Sequence, residues 1–159
     1  MTMLPGAGYG GYYKLSEIIE KKVFAAKKVL FEFRDGWVFV DGKIIQGLRI
    51  IDTNAYIKAI HYTSWENATQ IRSLGSIKSS LDDPFVYLAP RGVMQGWPEN
   101  EICKELGAKS ANTEIWLEIV VPVGIVWLKA SRRVVHFAVQ GDLLKKHIVK
   151  MDIQRRSAL

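Results

Sequence analysis

The chain has 159 residues, of which 48% are hydrophobic and 24% charged, with a formal net charge of +6. That length buries one substantial core and is too short for two ordinary domains, and no apolar run approaches a membrane-spanning helix. Cys103 is the single cysteine, and with three scattered histidines it excludes an internal disulfide and an ordinary structural zinc site.

Residues 1–14 read as a flexible lead-in, with Leu4-Pro5-Gly6-Ala7-Gly8-Tyr9-Gly10-Gly11 at its centre. Such a segment is expected either to join a carboxy-terminal module to a larger protein or to be a disordered start; it lacks signal-peptide form. Its glycines follow no strand, so they are not a dinucleotide-binding loop. Residues 15–159 are then expected to form a single α+β domain, with 15–55 as a helix and hairpin layer and 56–159 as the chemistry-bearing half. Ser16 is placed to cap a helix whose apolar stripe is Ile18, Ile19, Val23 and Ala26. Leu30–Phe33 and Trp37–Val40 flank the turn Arg34-Asp35-Gly36, and Asp41-Gly42 repeats the turn signal before Lys43-Ile44-Ile45.

Tyr56-Ile57-Lys58-Ala59-Ile60 predicts a strand that delivers His61 and Tyr62 at its end. Thr63 and Glu66 have capping-box spacing, and Trp65, Ala68, Ile71 and Leu74 form a helical stripe closed by Gly75, which predicts a helix over about 64–74. A polar turn at 79–84 leads to the strand Phe85-Val86-Tyr87-Leu88, closed by Pro90 and Gly92. From Gly92 to Thr113 only Glu101–Leu106 reads as helix, and Trp97-Pro98 sits in what is either a pocket cover or a plain surface loop. The strand Glu114–Val121 places Glu114 and Glu118 on one face with Trp116. Strands at 124–129 and 134–139 complete a strand-rich half, and two basic clusters, Lys21-Lys22 with Lys27-Lys28 and Lys145-Lys146 through Lys150 to Arg155-Arg156, read as two solvated helix faces and a tail. No internal repeat is present.

The run His61-Tyr62-Thr63-Ser64, the helix after it, the Gly75-Ser76-Ile77 segment and the strand Val86-Tyr87-Leu88 together resemble the amino-terminal half of the ADP-ribosyltransferase fold. The close resemblance spans about 30 residues and extends more loosely from Tyr56 onward. It implies a bent, mixed β-sheet split around an NAD-binding cleft with flanking helices, NAD as co-substrate, and no metal. It further implies that His61 holds the adenosine ribose, that Tyr87 stacks on the nicotinamide, and that Tyr62 and Thr63 line the nicotinamide amide site. The late strand around His136, followed by Gln140-Gly141-Asp142-Leu143, is similar to the family strand that begins with a catalytic Glu, and here it carries His136 instead. RNA 2′-phosphotransferases and some bacterial toxin branches of the superfamily lack that Glu. Glu114 and Glu118 are two other acids that can compensate, while Arg72, Arg91, Arg132 and Arg133 are phosphate candidates.

The leading expectation is an NAD-dependent ADP-ribosyltransferase-like toxin or effector domain that acts in the cytoplasm on a protein or RNA acceptor. Secretion within a larger effector and a cognate immunity protein over the cleft belong to the same reading, and no membrane partner is expected. The net charge of +6 favours a polyanionic partner, nucleic acid among them. A second expectation is a metal-independent ribonuclease in which His61 and His136 act as base and acid. A third is an NAD-binding module without catalysis. Taken alone, each residue also has a structural reading: His61 as a hydrogen-bonded strand-end histidine, Tyr87 as a boundary tyrosine, His136 as a buried neutral imidazole, and Glu114 and Glu118 as a solvated strand face.

Overall fold

A computed structural model of the chain describes residues 11–26, 28–50, 56–79, 83–106, 115–130 and 134–155. In chain order the elements are β1 (Tyr12–Lys14), α1 (Leu15–Lys21), β2 (Val23–Ala25), β3 (Leu30–Arg34), β4 (Trp37–Val40), β5 (Lys43–Arg49), β6 (Tyr56–Tyr62), α2 (Trp65–Leu74), β7 (Phe85–Pro90), α3 (Glu99–Leu106), β8 (Ile115–Pro122), β9 (Trp127–Ala130), β10 (Val135–Gln140) and β11 (Lys150–Arg155). The class is α+β, as the sequence implies. The strands form two sheets, a seven-stranded one ordered β1-β9-β10-β7-β6-β8-β11 and a four-stranded one ordered β2-β3-β4-β5.

All the described strand pairings are antiparallel, which corrects the expectation of a mixed sheet. The reason lies between β6 and β7. After α2 the chain is held by the Ile77–Leu143 bridge and, just before β7, by the Gly141 N–H donating to the Pro84 carbonyl at 2.6 Å. It thereby returns to the end at which β6 finished, and β7 enters antiparallel rather than as the parallel partner of a right-handed crossover.

Local chemistry explains most of the boundaries. Ser64, in extended conformation, caps α2 by accepting the Asn67 N–H at 3.1 Å, and Gly75 ends the helix at φ 78°. The cap is thus Ser64 and not Thr63, one residue later than the capping-box spacing implies. Lys14 precedes α1 without a side-chain cap, and Lys22 at φ 64° ends that helix, so Val23 leaves the expected apolar stripe and starts β2. Tyr12–Lys14 pairs with β9 and so belongs to the large sheet. The C-terminal basic stretch contains β11, laid against β8 over six residue pairs from Lys150 to Arg155. Its Met151 and Ile153 turn inward against the core while Lys150 and Asp152 stay exposed.

The main core lies between the two sheets and α1. Leu15, Ile18, Phe31, Val38 and Leu48 meet Ile57, Leu117, Ile119, Leu128 and Phe137, with Ala68 bringing α2 onto the same face. On the other face of the large sheet a smaller cluster of Ile60, Ala89, Met94, Ile102, Trp116 and Val134 seats α3. The large sheet is covered on both faces, and β8 accordingly reads as a nearly continuous buried run instead of an alternating one.

The small sheet docks through a close backbone approach. Gly47 in β5 has φ +78°, and a Cβ there would sit 2.4 Å from the Arg91 carbonyl oxygen. Gly75 has the same backbone conformation, but its Cβ would meet only the flexible Lys145 side chain. Gly75→Ala is therefore expected to cost about 1–2 kcal/mol and Gly47→Ala about 3–5 kcal/mol, because the second substitution adds an overlap that only a shift of the sheets relieves. Urea unfolding of both variants checks the order; equal costs contradict it.

Candidate functional site

The β6–β7 ladder is short. Only Ala59↔Pro90 and Ile60↔Ala89 pair, after which β6 continues beside β8 and β7 continues beside β10. The two strands part where β6 presents His61 and β7 presents Tyr87. The His61 ring spans this gap, with Nδ1 3.0 Å from the Tyr87 carbonyl oxygen. A carbonyl only accepts, so Nδ1 carries the proton and Nε2 is the acceptor of the neutral imidazole. Burial pushes the His61 pKa below its ordinary value, and the bond to the Tyr87 carbonyl opposes that only in part.

Strand alternation sets which side chains share a face. Ile60 lies opposite both Ala89 and Glu118, Tyr62 lies opposite Trp116, and Ala138 lies opposite Tyr87. Tyr62, Tyr87, Trp116, Glu118 and His136 therefore belong to one face. His61 leaves β6 toward the other, opposite Leu117. The structure thus brings His61 to the Tyr87 backbone, while the Tyr87 ring stands on the far side of the strand.

The Tyr87 hydroxyl donates to Asp83 Oδ2 at 2.6 Å and takes a hydrogen bond from the Tyr12 hydroxyl. Burial, reinforced by these two partners, raises the Tyr87 pKa far above the usual phenol value, so the ring stays neutral. Lys129 Nζ lies 4.8 Å from the Tyr87 ring centre and 5.2 Å from that of Tyr12, and Tyr12 stacks on Phe85 at 4.4 Å. Aromatic rings, one cation and one carboxylate are thereby collected over the β1–β9–β10–β7 part of the sheet, on the side of β7 away from β6.

His136 is buried, and its Nε2 lies 2.8 Å from Glu105 Oε2, a carboxylate at the end of α3 whose side chain is 1% exposed. The two histidines named by the ribonuclease expectation lie on opposite faces of the sheet, and one of them is engaged by a buried acid. Tyr62 packs with its ring centre 6.0 Å from that of Trp116, and Thr63 is half-buried at the α2 entry. Arg72 is exposed in the last turn of α2, seven residues and about 10 Å along the helix from Trp65, so the helix carries it away from His61. Glu118 is ringed by Lys58 at 3.8 Å and Arg91 at 3.7 Å. Glu114, Arg132 and Arg133 lie outside the described residues.

Beside this arrangement the face that bears Trp116 and Glu118 opens into a cleft of about 640 Å³, walled also by Gly47, Arg91, Gln95 and Gln154. Among the described residues no group of three or more His, Cys, Asp or Glu side chains is placed to hold a metal ion, and no described helix is long and apolar enough to cross a membrane. No family model matches the chain, and neither the curated proteins nor the solved structures yield a match.

Sequence reasoning missed Tyr12, Asp83, Glu105 and Lys129. Asp83-Pro84 immediately before an aromatic strand was a local signal for the carboxylate beside Tyr87. Tyr12, 75 residues from Tyr87 along the chain, had none.

Burial holds His61 neutral at pH values where the unfolded chain binds a proton there. Stability is therefore expected to be constant through this group above about pH 6.5 and to fall as the pH drops below that and on through the lowered folded value. Urea midpoints measured from about pH 7 to 5 are expected to slope less steeply in His61→Gln than in the unsubstituted protein. Equal slopes contradict the assignment.

Proposed function

We propose that this chain is an NAD-dependent ADP-ribosyltransferase-like domain of toxin or effector type, with its site at the gap between β6 and β7. The observation that carries the reading is the β6–α2–β7 unit, in which the strands separate after two residue pairs and His61 crosses to the Tyr87 carbonyl. A neutral His61 with its Nδ1 proton committed offers Nε2 to a ribose hydroxyl. Tyr87, held neutral and oriented by Asp83 and Tyr12, supplies a ring for an aromatic ligand on the face opposite His61, so in this reading the ligand passes through the gap between the strands to meet both.

In this reading the bond between ribose C1′ and the nicotinamide nitrogen breaks, its electron pair leaves with nicotinamide, and an acceptor nucleophile forms the new bond to C1′ while losing its proton. The protein's share is positioning and stabilisation of the positive ribosyl centre. The family glutamate has no counterpart at His136, whose Nε2 is engaged by Glu105. Asp83 is the carboxylate that adjoins the Tyr87 hydroxyl, and the proposal gives it the electrostatic part of that role. The net charge of +6 favours a nucleic-acid acceptor over a protein one.

The test is incubation of the purified protein with adenine-labelled NAD and cell lysate, following nicotinamide release and label in separated protein and RNA fractions. Release with label in one fraction is expected, and His61→Ala and Tyr87→Ala are each expected to lower the rate by about 100-fold or more without unfolding the protein. Variants that retain full turnover contradict the site. NAD binding without release identifies a binding module, and intact NAD with cleaved RNA identifies a nuclease.

A further inference from the structure

The 640 Å³ cleft falls in the size range of small-molecule sites, and its walls are rich in hydrogen-bond donors. Trp116 is 1% exposed, and its indole Nε1 finds no acceptor among the described residues. A buried N–H without a partner is destabilising and uncommon enough to require a reason. Trp116 lines this cleft. Gln95 spends its side-chain carbonyl on the Gly92 N–H at 2.6 Å, which leaves its NH₂ as the remaining polar group.

Charge points the same way. Glu118 is shared by Lys58 and Arg91 at 3.8 and 3.7 Å, so one carboxylate faces two cations across distances too long for close hydrogen bonds. The Arg91 guanidinium keeps its planar donor edge, the geometry that suits carboxylate and phosphate. Its backbone is fixed from behind, since the Arg91 carbonyl lies where a Cβ on Gly47 would stand. Arg91 is four residues, about 13 Å of extended chain, beyond Tyr87, and the cleft opens on the face that His61 turns away from.

We propose that this cleft binds a small oxyanion-bearing molecule of mononucleotide size, with its phosphate or carboxylate on Arg91 and an acceptor atom on the Trp116 indole N–H. The site stands independently of ADP-ribosyl transfer, because none of its walls is His61 or Tyr87. Glu118 adds a selective element: it accepts a hydrogen bond from a ligand N–H and repels an anion placed on its own side of the cleft.

The experiment is calorimetric and tryptophan-fluorescence titration of the full chain with inorganic phosphate, the nucleoside 5′-monophosphates, citrate and glutamate. Saturable binding of at least one probe is expected, weakened about tenfold or more by Arg91→Ala and by Trp116→Phe and unchanged by His61→Ala. Binding by nucleotides and phosphate identifies a phosphate ligand, and binding by citrate or glutamate alone identifies a carboxylate. The absence of saturable binding by all of these probes overturns the proposal. So does binding that Arg91→Ala leaves intact, or that His61→Ala abolishes. Arg91 is exposed, so its variant keeps the test valid even if Trp116→Phe impairs folding.

Discussion

The organisation of the large sheet rests on where β6 and β7 stop pairing. Two residue pairs join them, and beyond Ile60 and Ala89 their facing edges stop pairing, while β6 stays paired with β8 and β7 with β10 on the outer edges. Backbone amides and carbonyls left unpaired at such a parting are costly when buried, and His61 answers part of that cost by donating to the Tyr87 carbonyl. The same bond fixes the tautomer of the ring and leaves one nitrogen as an acceptor. One local compromise between sheet closure and hydrogen-bond satisfaction thus produces both the gap and its most distinctive polar group.

Everything packed around the parting serves to keep it in place. On one face the small sheet and α1 fill the main core, and the approach of Gly47 to Arg91 fixes the two sheets against each other. On the other, the His136–Glu105 pair anchors the end of α3 over the second cluster. A buried pair of this kind is a modest source of net stability, but removal of either partner leaves the other buried and unsatisfied, so it fixes the position of α3 with specificity. The residue that stands where the family resemblance implies a catalytic acid therefore has a structural partner that the sequence pattern did not disclose.

The unit from β6 to β7 was legible because its signals are local. β-branched and aromatic runs mark the strands, a serine hydroxyl stands at the start of α2, and a glycine supplies the left-handed residue at its end. Capping-box spacing points to Thr63, one residue early, because Thr63 and Ser64 offer the same hydroxyl chemistry. β11 was missed because only Met151 and Ile153 carry its alternation among charged residues, and its stability comes from β8, about 30 residues away. β2 has no signal of its own because Val23 falls at helical spacing after Ile19, whereas the chain leaves the helix at the left-handed Lys22. Tyr12 beside Tyr87 and Glu105 beside His136 depend on tertiary proximity across 75 and 31 residues, which periodicity does not encode.

The central claim is that the gap at His61 and Tyr87 is where NAD is held. With three histidines in the chain, nitrogen-15 labelling of histidine gives an NMR spectrum simple enough to follow His61, His136 and His147 one by one during an NAD titration. A saturable shift of the His61 Nε2 resonance is expected, while the His136 resonances, tied to Glu105, hold their positions. A His61 signal that stays fixed while NAD binds, or a shift confined to His136 or His147, would contradict the claim.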